Sequence, residues 1–301
     1  MGKSIYFYEP SLAASIIFTI LYVLPFLYHF YITVIAPCTG QYNRTGYFIP
    51  IVIGAAIEVA AYGVRAASIK MPDNVGLYAT SSTLVVIAPV LVCASLYILI
   101  GRLLRSSLER YSNGSTAKRL PAPLAGKISL AWIPRIFVIS DILSFLTQAS
   151  GSGIASSNDW QGSSKDAGIG VLIAGLVLQL VTFAIFLILV IWYHIRIIPL
   201  SSRDTKGSEV KSVLNGIYIA GFFITVRLIY RVIEFSIGIG GYTWTHEWPL
   251  YVFEAVPMFA AMVVMGWYHP ARWLASILED KPTELQSRGR DSDGQPLGRS
   301  L

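Results

Sequence analysis

Long apolar stretches separated by short polar connections dominate the hydrophobic pattern of this chain. Each stretch has roughly 20 residues, which is enough to cross about 30 Å of hydrocarbon as an α-helix. The period-2 alternation that is typical of a membrane β-barrel does not occur in them. The pattern predicts an all-α bundle of seven membrane-spanning helices, near residues 11–32, 47–68, 77–100, 129–151, 168–193, 213–237 and 248–268.

The distribution of lysine and arginine between the connections predicts the orientation of the bundle. Sixteen of these residues fall in the first, third and fifth connections and the C-terminal segment, whereas three fall on the opposite side. Because basic connections stay in the cytosol, we expect the N-terminus outside the cell and the C-terminus in the cytosol. The sequons at Asn43 and Asn113 would then remain unglycosylated.

The predicted seven-helix transmembrane domain covers residues 1–279, and a polar tail covers residues 280–301. The tail combines proline, serine and glycine with charges of both signs, which predicts a disordered cytosolic segment. In the third connection, the pattern from Arg102 to Arg110 predicts an amphipathic extension of the third span, which the prolines from Pro121 onward would end.

The composition supports a membrane protein and excludes several other classes. Of the 301 residues, 54% are hydrophobic and only 13% are charged, whereas about 25% are charged in typical soluble domains. The formal net charge of +6 would suit a nucleic-acid partner, but the basic residues lie in the connections, where topology explains them. Cys38 and Cys93 do not suggest a disulfide framework, and no metal-ligand spacing occurs, so no cofactor is expected.

Four predicted spans carry their polar side chains on one helical face, because residues four and seven positions apart share a face. These stripes consist of Glu58, Tyr62 and Arg65 in the second span, Asp141, Ser144 and Gln148 in the fourth, Arg227, Arg231 and Glu234 in the sixth, and Glu247, Tyr251, Glu254 and Met258 in the seventh.

The embedded charges of these stripes nearly balance. Three arginines face four acids: Arg65, Arg227 and Arg231, and Glu58, Asp141, Glu234 and Glu254. An ionised side chain in hydrocarbon is costly unless it is paired, so we expect one shared polar core between mid-membrane and the outer face. Two interpretations stay open at this point: the core binds a ligand or transported molecule, or it only holds the helices together.

At these residues the chain resembles the RTA-like family, which consists of fungal seven-pass lipid-translocating exporters named for resistance to aminocholesterol. The resemblance extends over most of the chain up to the tail. Its matching residues are Glu58, Tyr62 and Arg65; Asp141, Gln148 and Gly151-Ser-Gly153; Arg227, Tyr230, Arg231 and Glu234; and His246, Glu247 and Tyr251. The chain departs from the family at Ala61, where a glycine is expected, and at Glu254, where aspartate is common.

The resemblance implies a multi-pass protein, most simply of the fungal plasma membrane, that exports or flips amphipathic molecules such as sphingoid bases, sterol derivatives or porphyrins. Its partners would be membrane lipids and this cargo, and it would contribute to lipid or drug resistance. The substrate-binding or ion-pair core would consist of Glu58, Tyr62, Arg65, Asp141, Gln148, Arg227, Tyr230, Arg231, Glu234, His246, Glu247, Tyr251 and Glu254. No nucleotide-binding loop occurs, so a gradient, a proton or simple equilibration would drive the movement.

Two other functions are compatible with parts of the sequence. A seven-helix receptor that signals through its basic cytosolic loops would have the same topology, but the ion-pair core and the short external segments argue against it. A membrane-embedded lipid hydrolase would need several histidines that converge on a metal with aspartate and serine. His29, His194 and His269 lie near span ends instead, so no enzymatic activity is expected.

Overall fold

The computed structural model describes residues 6, 8–42, 45–113, 132–156, 162–196, 206–238 and 240–274. Within these ranges the chain is helical and contains no strand, which confirms the all-α prediction for this part. The predicted tail at 280–301 and most of the third connection lie outside the described residues.

The long helices follow the apolar stretches of the sequence. Helix α1 covers Leu12–Phe30 and continues through a π-helical turn at Tyr31–Ile35 to Ala36–Cys38. The next five helices are α2 at Ile49–Lys70, α3 at Val75–Asn113, α4 at Trp132–Ser156, α5 at Gly162–Arg196 and α6 at Lys206–Ile237. Helix α7 comprises Trp248–Leu250, a π-helical turn at Tyr251–Ala255, and Val256–Trp267.

Six helical segments among the described residues are long and apolar enough to cross a membrane, so the chain is a multi-pass membrane protein. Helix α4 is not one of the six. It has 25 residues, and its buried polar side chains include Asp141, Ser144 and Gln148. Helix α3 extends to Asn113, thirteen residues beyond the predicted end of the span, as the amphipathic pattern after residue 100 predicts.

Local sequence explains the ends of the helices. The Ser11 side chain caps α1 by accepting a hydrogen bond from the backbone N–H of Ala14 at 3.2 Å. The connection between α6 and α7 turns with φ of 81° at Gly238 and 95° at Gly240. Residues with a side chain rarely adopt these angles, so the two glycines allow the chain to turn within the short connection between Ile237 and Trp248.

The helices form a closed ring in sequence order. Each long helix packs against its neighbours in the chain, and α1 closes the ring by packing against α7. Apolar side chains such as Ile20, Leu24 and Ile188 point outward and are more than half exposed, as expected for a surface that faces lipid tails. The buried charged side chains among the described residues lie on α2, α4, α6 and α7, and they are Glu58, Arg65, Asp141, Arg227, Glu234 and Glu254.

Hydrogen bonds join α1 to the α7 region along nearly the full length of the helix. From one bonded pair to the next, the residue numbers increase on both α1 and the α7 region, so the two helices run in the same direction. The five pairs are Ser11 with Glu247, Ser15 with Tyr251, Tyr22 with Ala255, His29 with Met262, and Thr33 with His269.

Candidate functional site

The most buried ion pair joins α6 to α7. Arg227 Nη2 donates to Glu254 Oε1 at 2.8 Å, and the two side chains are 4% and 1% exposed. The same nitrogen donates to the backbone carbonyl of Val85 on α3 at 2.9 Å. Charge-assisted hydrogen bonds of this kind are strong when they are shielded from water. Arg227 therefore ties three helices together at the centre of the ring.

A second pair lies on α6, one turn along the helix. Arg231 Nη1 contacts Glu234 Oε2 at 2.9 Å and Glu254 Oε2 at 3.5 Å, so Glu254 lies between two arginines. The hydroxyl of Tyr230 donates to Glu234 Oε1 at 3.5 Å. We call Arg227, Arg231, Glu234 and Glu254 the inner cluster.

The backbone of α7 changes to a π-helical turn where it contributes to the inner cluster. The turn at Tyr251–Ala255 inserts one extra residue and is followed by Pro257 in the first turn of the continuing helix. Turns of this kind occur frequently at functional sites. Both Tyr251 and Glu254 lie in it and both are buried.

A separate ion pair connects α2 to the connection before α7. Arg65 Nη2 contacts Glu247 Oε1 at 3.0 Å and donates to Tyr8 Oη at 2.8 Å. Tyr251 Oη donates to Glu247 Oε1 at 3.0 Å, and the backbone N–H of Ser11 donates to Oε2 at 2.7 Å. Burial raises the pKa of Tyr8 to about 12, so its hydroxyl stays neutral beside Arg65. We call Arg65, Glu247, Tyr8 and Tyr251 the outer cluster.

Stacked aromatic rings lie between the inner and outer clusters. Tyr62 stands one turn after Glu58 and one turn before Arg65 on α2, and its ring stacks on Tyr22 with centroids 5.3 Å apart. Its centroid is 6.4 Å from that of Tyr251. The two clusters therefore face each other across a layer of tyrosines.

Glu58 lies on α2 next to the inner cluster but pairs with no arginine. Its side chain is buried, and its Oε2 atom has no hydrogen-bond partner among the described residues. The charges of Arg227 and Glu254 act on Glu58, but neither side chain forms an ion pair or a hydrogen bond with it. From the sequence alone, either Glu58 or Glu247 could pair with Arg65. In the structure its partner is Glu247.

The predicted stripe on α4 lies apart from both clusters. Asp141 accepts a hydrogen bond at Oδ2 from Tyr97 on α3 at 2.9 Å. Gln148 donates from Nε2 to Gln179 on α5 at 3.1 Å. The expected single core is thus divided into the inner cluster with Glu58, the outer cluster, and the α4 contacts, because the stripe of α4 bonds to the two adjacent helices α3 and α5.

His246 is the one predicted site residue whose side chain is exposed on the surface. Its side chain stacks on Tyr242 with ring centroids 4.0 Å apart. Its Nδ1 atom contacts the backbone carbonyl of Tyr242 at 3.1 Å. The imidazole thus packs on the short helical turn at Tyr242–Thr245, on the surface of the connection.

Several hydroxyl and amide groups of the site were not predicted: Tyr8, Ser11, Tyr22, Tyr97 and Gln179. A phenol or amide inside an apolar span needs a hydrogen-bond partner, so Tyr97 and Gln179 could have been selected on that ground. The backbone N–H of Ser11 could not, because its contact with Glu247 depends on how the two ends of the ring meet.

Comparison with known proteins identifies relatives of the whole bundle. The model of the family described as RTA1 like protein matches residues 51–277. Protein RTA1 of Saccharomyces cerevisiae is 26% identical over 98% of this chain and 94% of its own length. Protoporphyrin uptake protein 1 of the same yeast is 31% identical over 73% of this chain and 67% of its own length.

A third relative is the sphingoid long-chain base transporter RSB1 of Saccharomyces cerevisiae, which is 30% identical over 61% of this chain and 53% of its own length. No solved structure matches the chain. The family match from 51 to 277 includes every polar helix described above, from Glu58 on α2 to Glu254 on α7. This chain therefore belongs to the RTA1-like protein family.

Proposed function

We propose that this protein is a transporter that moves amphipathic, lipid-like molecules across the membrane. The observation that carries the proposal is the set of unsatisfied polar atoms in the buried clusters. Arg65 Nε, Arg227 Nε and Glu58 Oε2 are buried and have no hydrogen-bond partner among the described residues. Buried polar groups that only hold helices together are normally satisfied. Free donors and acceptors beside ion pairs would suit the polar head of a bound molecule.

The names of two relatives support this class of cargo. One relative is named a sphingoid long-chain base transporter, and another is named a protoporphyrin uptake protein. A sphingoid base and a porphyrin share a large apolar part and ionisable groups. In this chain, the clusters would hold the ionisable groups, and the apolar part would lie along the tyrosine layer and the lipid-facing helices.

The parallel arrangement of α1 and α7 supports seven spans. If successive helices cross the membrane in opposite directions, the first and last run in the same direction only when the number of spans is odd. Helix α4 has 25 residues, which gives a length of about 37 Å and is enough to cross the hydrocarbon. We therefore assign α4 as an additional span, which raises the total from six to seven. On the basis of the basic connections, we propose that the N-terminus lies outside and the C-terminus in the cytosol of a fungal cell, and that the protein resides in the plasma membrane.

No chemical step is needed in this function, and we propose that the protein is not an enzyme. The described residues contain no group of three histidine, cysteine, aspartate or glutamate side chains that could hold a metal ion. His29 and His269 are buried, and they contact the carbonyl of Met262 and the hydroxyl of Thr33 at 3.0 and 3.2 Å. These contacts join α1 to the α7 region, which is a structural role.

A flux assay with purified protein in vesicles tests the proposal. The probe is a fluorescent sphingoid base added to one leaflet, and the variants are Arg231→Ala and Glu234→Gln. Loss of a charge-assisted contact of about 1.5–3 kcal/mol predicts a decrease in flux of about tenfold or more. Ser236→Ala is the control, since Ser236 lies on the same helix, is exposed, and bonds only to the Val232 carbonyl at 2.6 Å.

The thermal unfolding midpoint of each variant in detergent separates transport from folding. Variants that fold like the wild type but lose flux support a transport site. Variants that lose flux only in proportion to the folded fraction support ion pairs that merely stabilise the bundle. If wild-type protein does not accelerate probe movement, the transporter proposal is wrong, and a change in a signalling response on gene deletion would favour a receptor.

A further inference from the structure

Every arginine of the inner and outer clusters forms an ion pair with a glutamate. Each forms one ion pair of 3.0 Å or less, and each pair is substantially buried. Pairing of this kind leaves no net charge and avoids an isolated ion in hydrocarbon. The pairs are Arg65 with Glu247, Arg227 with Glu254, and Arg231 with Glu234.

Two buried carboxyl groups remain once these pairs are formed. Glu58 and Asp141 are each 1% exposed. Each has one oxygen without a hydrogen-bond partner, namely Glu58 Oε2 and Asp141 Oδ1. In the part of the chain that the structure describes, no lysine, arginine or histidine lies within 4.0 Å of either carboxyl. Of the two, only Glu58 adjoins the inner cluster, whereas Asp141 is held by Tyr97 between α3 and α4.

The groups around Glu58 do not compensate a negative charge on it. The positive charge that acts on it belongs to Arg227 on α6, but Arg227 is engaged by Glu254 and by the Val85 carbonyl. Glu254 on α7 is itself an anion that repels a charged Glu58. Tyr22 on α1 and Tyr62 on α2 complete the ionisable neighbours. An ionised Glu58 would therefore need a further positive charge, which a proton or a bound cation can supply.

We propose that Glu58 carries a proton which a cationic cargo molecule displaces, so that cargo and proton are exchanged one for one. On binding, the O–H bond of the Glu58 carboxyl breaks and its proton passes to water. The carboxylate then faces the positive head of the cargo, and the net charge of the cluster stays the same. On release, a proton returns to the carboxylate. This inference rests on the proposed transport function and adds its energy source, a proton gradient.

The exchange gives Glu58 a role distinct from that of the paired glutamates. Replacing it with glutamine keeps the size and burial of the side chain but removes the exchangeable proton and the negative charge. Replacing it with aspartate keeps the carboxyl. Coupling between cargo and proton should therefore depend on the carboxyl, whereas folding should depend mainly on side-chain size and burial.

The experiment uses full-length protein in vesicles that contain a pH-sensitive dye. The probe is a sphingoid base whose nitrogen carries three methyl groups, because a permanent cation carries no proton of its own through the bilayer. In wild type, probe movement should drive an equal number of protons in the opposite direction. A gradient of one pH unit should accumulate the probe about tenfold, the equilibrium ratio for one-for-one exchange.

The variants assign the exchange to Glu58. Glu58→Gln should abolish proton movement and pH-driven accumulation, and Glu58→Asp should retain both. Ser81→Ala is a control for a buried polar change, since Ser81 only donates to the Ala61 carbonyl at 3.1 Å, and it should retain both. The comparison of Asp with Gln keeps the test valid if glutamine lowers the amount of folded protein, because values are taken per folded molecule.

Each contrary result has a separate meaning. Probe movement by wild type without proton movement would overturn the exchange but leave the transport function intact. Proton exchange that persists in Glu58→Gln would overturn the assignment to this residue. A wild type that does not move the probe, or the unmethylated base in the parallel flux assay, would contradict the transport function itself.

Discussion

The hydroxyl of Tyr22 donates a hydrogen bond of 2.7 Å to the backbone carbonyl of Ala255, at the end of the π-helical turn in α7. Both residues are fully buried or nearly so. The ring of Tyr22 also stacks on Tyr62, so one side chain joins α1, α2 and α7. Because Glu254 directly precedes Ala255, this bond helps to fix the backbone that presents Glu254 to Arg227 and Arg231.

Tyr22→Phe should destabilise the bundle by about 1–3 kcal/mol, because the Ala255 carbonyl would lose its buried donor while the ring volume stays the same. The measurement is the thermal unfolding midpoint in detergent. Tyr28→Phe is the matched control on α1, since the Tyr28 hydroxyl only accepts an exposed hydrogen bond of 3.3 Å from Arg272. Equal midpoints for the two variants would contradict a structural role of the Tyr22 bond.

Breaking the central ion pair on one side should cost more than removing both partners. Arg227→Met leaves Glu254 with only the longer 3.5 Å contact to Arg231, and Glu254→Leu leaves Arg227 without its carboxylate. Each single change should destabilise by about 3–5 kcal/mol, whereas the double variant should recover part of this loss. A double-mutant cycle on unfolding free energies measures it. Additive losses would show that the pair contributes no coupling to folding.

Helices α4 and α5 approach closely at Gly151. A Cβ atom at this position would lie 2.5 Å from the Leu172 nitrogen and 2.6 Å from the Gly168 carbonyl oxygen, both of them backbone atoms. Gly151→Ala should therefore push the helices apart and cost about 1–3 kcal/mol. Gly153→Ala is an unusually close control, since it lies two residues away on the same helix and its Cβ would meet nothing within 4 Å.

The measurement for both glycines is the amount of folded protein after purification and its unfolding midpoint. Gly153→Ala should match the wild type or exceed it slightly, because alanine favours a helix more than glycine does. The interpretation of Gly151 as a packing residue fails if Gly151→Ala is as stable as Gly153→Ala. In that case its place in the family motif would point to a functional contact.

The helices could be predicted from the sequence because apolar runs of membrane length leave few alternatives. The positions of charged residues within these apolar stretches also revealed the polar stripes, since few other residues there are charged. The partners of each charge depended on tertiary structure. Arg65 and Glu58 share a face of α2, but the tight turn at Gly238 and Gly240 brings Glu247 to Arg65 and leaves Glu58 unpaired.

The position of α4 shows a second limit of the sequence. Its stripe of Asp141, Ser144 and Gln148 looks like part of a common core, because the sequence gives the face of a helix but not the direction in which it points. In the ring, Asp141 Oδ2 bonds to Tyr97 and Gln148 bonds to Gln179, so each side chain has its hydrogen-bond partner on an adjacent helix. The residue types Tyr97 and Gln179 signal a buried hydrogen bond, but they do not identify its partner.

The two cysteines test the predicted orientation without any added tag. Cys38 is an exposed free thiol after the π-helical turn of α1, and Cys93 is a buried free thiol on α3. If the N-terminus is outside, the C-terminal end of α1 faces the cytosol. A membrane-impermeant maleimide should therefore label intact cells poorly and permeabilised cells strongly, and Cys38→Ser should remove the label while Cys93→Ser should not. Strong labelling of Cys38 in intact cells, or glycan on Asn43 or Asn113, would reverse the orientation and place the outer cluster of Arg65 and Glu247 on the cytosolic side.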